Sequence, residues 1–148
     1  MLDGGENQSE ANERIGPLME APAAIRFLSV EPMLGEIDLA ELRPAYGSYQ
    51  DRDPVPLEGY AIRPFSRGFE DSINADRVRM PKLDWVIVGG ESHTRPRQFD
   101  PEWARELMWE CQRNDVPFFM KQMGGRTSAE KRAIPADLMV REWPSIAK

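Results

Sequence analysis

Three apolar runs in this 148-residue chain each lead into residues able to do chemistry. "AIRFLSV" leads to Glu31, "WVIVGG" to Glu91 and Ser92, and "VPFFM" to Lys121 and Gln122. Two carboxylates brought together in a partly buried site raise at least one pKa unless a cation sits between them. Lys121 is the best-placed cation, with Arg95 and Arg97 of the loop after Ser92 behind it. Gly89-Gly90 suggests a nucleotide fingerprint, but the G-x-G-x-x-G pattern is not met and no P-loop occurs. An anion could still be held by Arg95, Arg97 and the helix start that follows them. Plainer readings stand beside these. Glu31 could cap the next turn, Glu91 could pair with Arg95 or Arg97, and Lys121 could simply reach solvent. His93 reads as a loop residue rather than a general base.

To share a rim, these residues need a parallel sheet, in which ligands sit at the carboxyl ends of the strands. The pattern supplies one, with strands near 25–31, 84–90 and 116–121. Trp85 and Ile87 on one side and Val86 and Val88 on the other mark a strand with two apolar faces. Asp100 is a natural N-cap, Pro101 suits the first helical position, and Asn114 can close the helix in a left-handed conformation. Trp103, Leu107 and Cys111 recur at i, i+4 and i+8, with Ala104 and Met108 beside them. Residues 84–122 thus read as a βαβ unit with a right-handed crossover. Upstream, Asn7 caps a helix in which Ala11, Ile15, Leu18 and Met19 form the apolar stripe, and Glu10 stands where a capping-box acid belongs. Gly16-Pro17 should break or kink that helix, and Pro22 closes it. "EIDLAEL" suggests a helical turn carrying Ile37, Leu39 and Leu42.

Between Arg43 and Pro81 the pattern dissolves into five prolines and scattered aromatics. Tyr46, Tyr49, Tyr60, Phe65 and Phe69 favour an ordered insertion over a disordered one. The expectation is a single α/β domain over 1–148, an irregular insertion at 43–81 and a C-terminal extension at 123–148. Roughly three parallel strands against a barrel's eight make a partial, half TIM-like barrel whose inner face is bare.

Composition narrows the function. Residues 1–42 carry nine acids against two bases and residues 43–148 sixteen against seventeen, so nucleic acid is not the expected partner. No apolar run approaches a bilayer span and no leader pattern opens the chain, which reads as cytoplasmic. With one cysteine, Cys111, and one histidine, no all-cysteine cluster or histidine-pair metal site can form within one chain. Cys111, on the helix stripe, reads as core.

Five stretches in order, "ENQSEANERI", "PAAIRFLSVEPMLGEIDL", "LDWVIVGGES", "DPEWARELMWECQRNDVPFFMKQMGG" and "IPADLMVREWP", resemble the carboxyl-terminal half of a phage-associated family. It is described as the phage gene-product thirty-seven/sixty-eight or three-Cys-motif family. The resemblance implies a radical-SAM-like partial TIM barrel, whose iron–sulfur cluster is held by cysteines in the amino-terminal half. It carries over Glu31 from the "EP" strand end, Glu91 and Ser92 from "GGES", and Lys121 and Gln122 from "KQ". The family continues "GGES" with glycine where this chain has His93, and the cysteine-bearing half has no counterpart here. The isolated chain is therefore expected to hold no cofactor, and a cluster and S-adenosylmethionine only with a separate cysteine-bearing half. Two functions follow. One is the carboxyl-terminal portion of such a barrel protein, binding a substrate or partner through Glu31, Glu91, Ser92, Arg95, Arg97, Lys121 and Gln122. The other is a non-enzymatic phage module that binds and inhibits a host protein. Either way, the bare sheet face calls for self-association or a larger protein partner.

Overall fold

The computed structural model describes residues 7–39, 60–62, 77–79 and 83–145. Its centre is a parallel three-stranded sheet, β1 (Phe27–Val30), β4 (Trp85–Gly89) and β5 (Phe118–Gln122), in the order β1-β4-β5. The three expected strands are there and run parallel, so the chain is α/β with an open sheet. Within the 43–81 stretch, β2 (Tyr60–Ile62) pairs antiparallel with β3 (Arg77–Arg79); the rest of that insertion lies outside the described residues.

Alternation along the strands sorts the side chains onto two faces. Leu28, Val30, Val86, Val88, Phe118 and Met120 are buried, and α2 (Pro101–Arg113) adds Ala104, Leu107, Met108 and Cys111 to the same core. Asp100 caps α2 by accepting from the Glu102 N–H, with Pro101 at the helix start as expected. The left-handed residue after α2 is Asp115 (φ 53°), not Asn114 (φ −109°). The Asn114 side chain instead donates to the Glu110 carbonyl at 2.9 Å, satisfying an orphan of the helix end.

Helix α1 (Gln8–Glu20) starts where expected, the Asn7 side chain accepting from the Ser9 and Glu10 N–H groups. Glu10 also forms an i, i+4 ion pair with Arg14 at 2.8 Å. The helix runs through Pro17 to Glu20 instead of stopping there. One turn from the C-terminus, a proline removes a single bond, while buried Ala11 and Ile15 have already anchored the helix to the core. The helical turn expected from Glu36 is absent over 36–39, and the side chains of Met19 and Leu42 lie outside the described residues. Gln8 explains the difference. Its side chain bonds both the N–H and the carbonyl of Asp38, and Glu110 takes the Leu39 N–H, so the strap is held from outside while Ile37 and Leu39 are buried.

Among the described residues, little covers the other sheet face. Phe27 is 49% exposed, and Trp85, Ile87 and Phe119 are half-buried. Trp143, itself 67% exposed, lies over Trp85 and Phe119 with ring centroids 5.0 and 5.3 Å apart. Among the described residues no helix covers Trp85 and Ile87 on that side. Residues 140–142 run along β5, with Met120 N–H to Val140 O at 2.8 Å and Glu142 N–H to Phe118 O at 2.9 Å. No described helix is long and apolar enough to cross a membrane.

Candidate functional site

All three strands point their carboxyl ends the same way, so Glu31, Glu91, Lys121 and Gln122 emerge at one end of the sheet. They do not form a single cluster. Glu31 pairs with Lys121, Oε1 to Nζ at 2.9 Å, bridging the outer strands in front of β4. Ser29, two residues earlier and so on the same face, donates its hydroxyl to Glu31 Oε2 at 2.9 Å. The ammonium stays accessible, with the Lys121 side chain 54% exposed.

Glu91 is held separately. Arg97 grips it with Nη2 to Oε1 at 2.6 Å and Nε to Oε2 at 3.1 Å, and the Arg97 N–H adds a third bond to Oε2 at 2.7 Å. A bidentate, charge-assisted grip of this kind favours the carboxylate strongly. The side-chain bonds from Arg97, its backbone N–H and its charge pull Glu91 down to about 2. Glu91 is therefore ionised at any physiological pH and cannot donate a proton; it ties the loop 91–97 together through Arg97. Ser92 and Arg95 are exposed in that loop, and the Arg95 guanidinium has no partner among the described residues. His93 Nδ1 accepts from the Arg95 N–H at 3.2 Å, which makes it a turn residue.

The glycines explain themselves by close approach. A Cβ on Gly89 would lie 2.7 Å from Glu31 Oε1, and one on Gly90 would strike the Gly124 amide nitrogen. The Gly90 N–H donates to the Gln122 carbonyl, the Gln122 side chain donates to the Gly90 carbonyl, and the Gly125 N–H reaches the Glu91 carbonyl at 3.0 Å. "GGES" is thus packing punctuation that lets the Glu31 carboxylate cross β4 to reach Lys121. Gln122 splices β5 to β4 through its bonds with Gly90. Ser29 and the 123–125 turn escape sequence reading, although the two-residue spacing from Ser29 to Glu31 was the available signal.

An iron–sulfur cluster does not fit the residues present. Cys111 is fully buried against the sheet, and burial pushes its thiol up to about 12. Among the described residues, no three His, Cys, Asp or Glu side chains gather as a metal site.

The open three-stranded parallel sheet makes this an α/β protein. The chain belongs to a family of proteins of unknown function, DUF5131, whose model matches residues 4–145. No curated protein and no solved structure gives a significant match.

Proposed function

We propose that the chain is the carboxyl-terminal portion of a phage-type, radical-SAM-like partial barrel that lacks its own cysteine cluster and binds a substrate or partner at the strand-end rim. The carrying observation is the Glu31–Lys121 pair. It stands on the open face, its ammonium is half in solvent, and Ser29 holds the carboxylate's second oxygen. Carboxylate and ammonium side by side offer one acceptor and one donor to a polar ligand. In this reading the sheet face would be barrel interior, completed by a second copy or by a larger polypeptide that brings the cluster and S-adenosylmethionine.

The aromatic end of the same face favours a second reading, a non-enzymatic module that seats on a host protein. Exposed aromatics are the residues that anchor protein interfaces, and Phe27 and Trp143 are both well exposed.

Glu31→Gln separates rim from scaffold. The variant keeps the side-chain shape and the Ser29 bond, so its thermal unfolding should match wild type. Native mass spectrometry of both purified proteins should then show that the rim ligand or added subunit is lost only from the variant. A lowered melting temperature with the bound species retained would make Glu31 structural. Loss of the species from Trp143→Ala, but not from Glu31→Gln, would favour the protein-binding module.

A further inference from the structure

Beyond β5 the chain builds a second concavity of about 500 Å³ with a different character. Lys121, Lys131, Arg132 and Arg141 line it together with Ile134 and Met139, and no acid does. That is unusual for a chain of net charge −6 with 25 acids, in which Arg14, Arg97 and Arg105 all pair with carboxylates. Among the described residues, Lys131, Arg132 and Arg141 form no ion pair. Arg132 Nε donates only to the Ser128 carbonyl of its own helix, and Arg141 lies over the Phe119 ring at 5.7 Å.

Both walls are firmly built. One is α3 (Ser128–Arg132), started by a reciprocal capping box between Thr127 and Glu130 and tied to β5 where the Met123 N–H donates to the Lys131 carbonyl at 2.9 Å. The other is the 140–142 strap, hydrogen-bonded along β5. Like charges fixed in one concavity repel one another and concentrate a positive field, an arrangement that a bound anion relieves. The volume lies in the ~300–1,000 Å³ range of small-molecule sites. Half-buried Ile134 and the 52%-exposed Met139 offer an apolar surface beside the cations.

We infer that this cleft binds a small phosphorylated molecule of nucleotide size, its phosphates on Lys131, Arg132 and Arg141 and its ring against Ile134 and Met139. The cleft shares Lys121 with the rim, but the inference does not rest on what the rim binds. The acidity of the chain as a whole favours a compact anion over a long polyanion.

Titration calorimetry on the full chain tests this with ADP, inorganic pyrophosphate and a thymidine oligonucleotide as probes. ADP should bind, pyrophosphate should bind more weakly for lack of a ring, and both should weaken as salt rises. Arg132→Ala and Lys131→Met, on exposed or half-buried positions of a surface helix, should each weaken ADP at least about tenfold, the loss of one charge-assisted contact. Met139→Ala should weaken ADP and leave pyrophosphate unchanged. Arg113→Ala, on α2 and outside the cleft, should change nothing. Absence of ADP binding, equal binding of ADP and pyrophosphate, or ADP binding indifferent to Arg132→Ala would overturn the inference. So would an oligonucleotide that outcompetes ADP, which would make the cleft a nucleic-acid groove. Glu31→Gln leaves the three unpaired cations in place, so the rim can fail its own test while this one succeeds, and the reverse.

Discussion

One sheet here carries two unlike faces. On the helix side the six inward residues are aliphatic, sulfur-bearing or phenyl side chains, all at most 4% exposed and sealed by α2. On the other side the same strands present Phe27, Trp85, Ile87 and Phe119, and then, toward the carboxyl ends, Ser29 and Lys121. The first face minimises water; the second grades from aromatic to charged along a few residues of strand. In the proposed rim function, the binding role belongs to this graded face.

The largest expected effect tests the sealed face. Leu107→Asp puts an unpaired carboxylate at a position with no exposure, costing several kcal/mol against a domain's ~5–15 kcal/mol total. Circular dichroism should show an unfolded or insoluble product. A soluble variant with unchanged melting would mean that α2 does not seal the sheet.

Gly90→Ala comes next, because its Cβ would meet backbone rather than a movable side chain. Overpacking of this kind costs about 1–3 kcal/mol, visible as a lower denaturation midpoint. Gly35→Ala, with its nearest neighbour 3.6 Å away, should be milder by the same measurement.

Glu110 sharpens the contrast from the helix side. Burial, joined by the Asp38 carboxylate and opposed by the Leu39 N–H and Arg113, pushes it up to about 7. In the unfolded chain it titrates near ~4.3. Between those values the folded state holds the extra proton, so stability falls as pH rises from about 4.5 to 7 and then levels. Glu110→Gln should remove that slope and raise stability at pH 8 by about 1–2 kcal/mol, allowing for partial exposure. Chemical denaturation at pH 5 and pH 8 reads both; a slope that survives the substitution would clear Glu110.

The smallest effect belongs to the open face. Trp143→Ala removes two ring pairs from a residue mostly in solvent. The expected loss is about 1 kcal/mol, or roughly 3 °C in melting temperature. It should also change self-association by light scattering, in contrast to any conservative change on the sealed face. An unaltered mass and melting temperature would reduce Trp143 to an idle lid.

What could be read in the sequence was local or periodic. Asn7 and Asp100 announce their helices because a cap acts within three residues. The strands announce themselves because alternation repeats every two. The β2–β3 pair was invisible, since three-residue strands carry no period and their partners are far apart in the chain. Asp38 defeated the helical reading of its segment through Gln8, a partner 30 residues away. The rim was legible only in part. Sheet topology put Glu31, Glu91 and Lys121 at one end, but Arg97, six residues from Glu91, claimed that carboxylate and left Lys121 to Glu31. The basic cleft had no signature because its three cations without ion pairs, Lys131, Arg132 and Arg141, come from α3 and the 140–142 strap, outside the βαβ unit.

The strap along β5 also constrains assembly. It runs antiparallel to β5 and occupies that border of the sheet, whereas no backbone bond among the described residues closes the outer border of β1. Among the described residues, that border of β1 is open to sheet continuation. Two copies joining β1 to β1 would place the same border on both sides, which generates a two-fold axis and a closed pair.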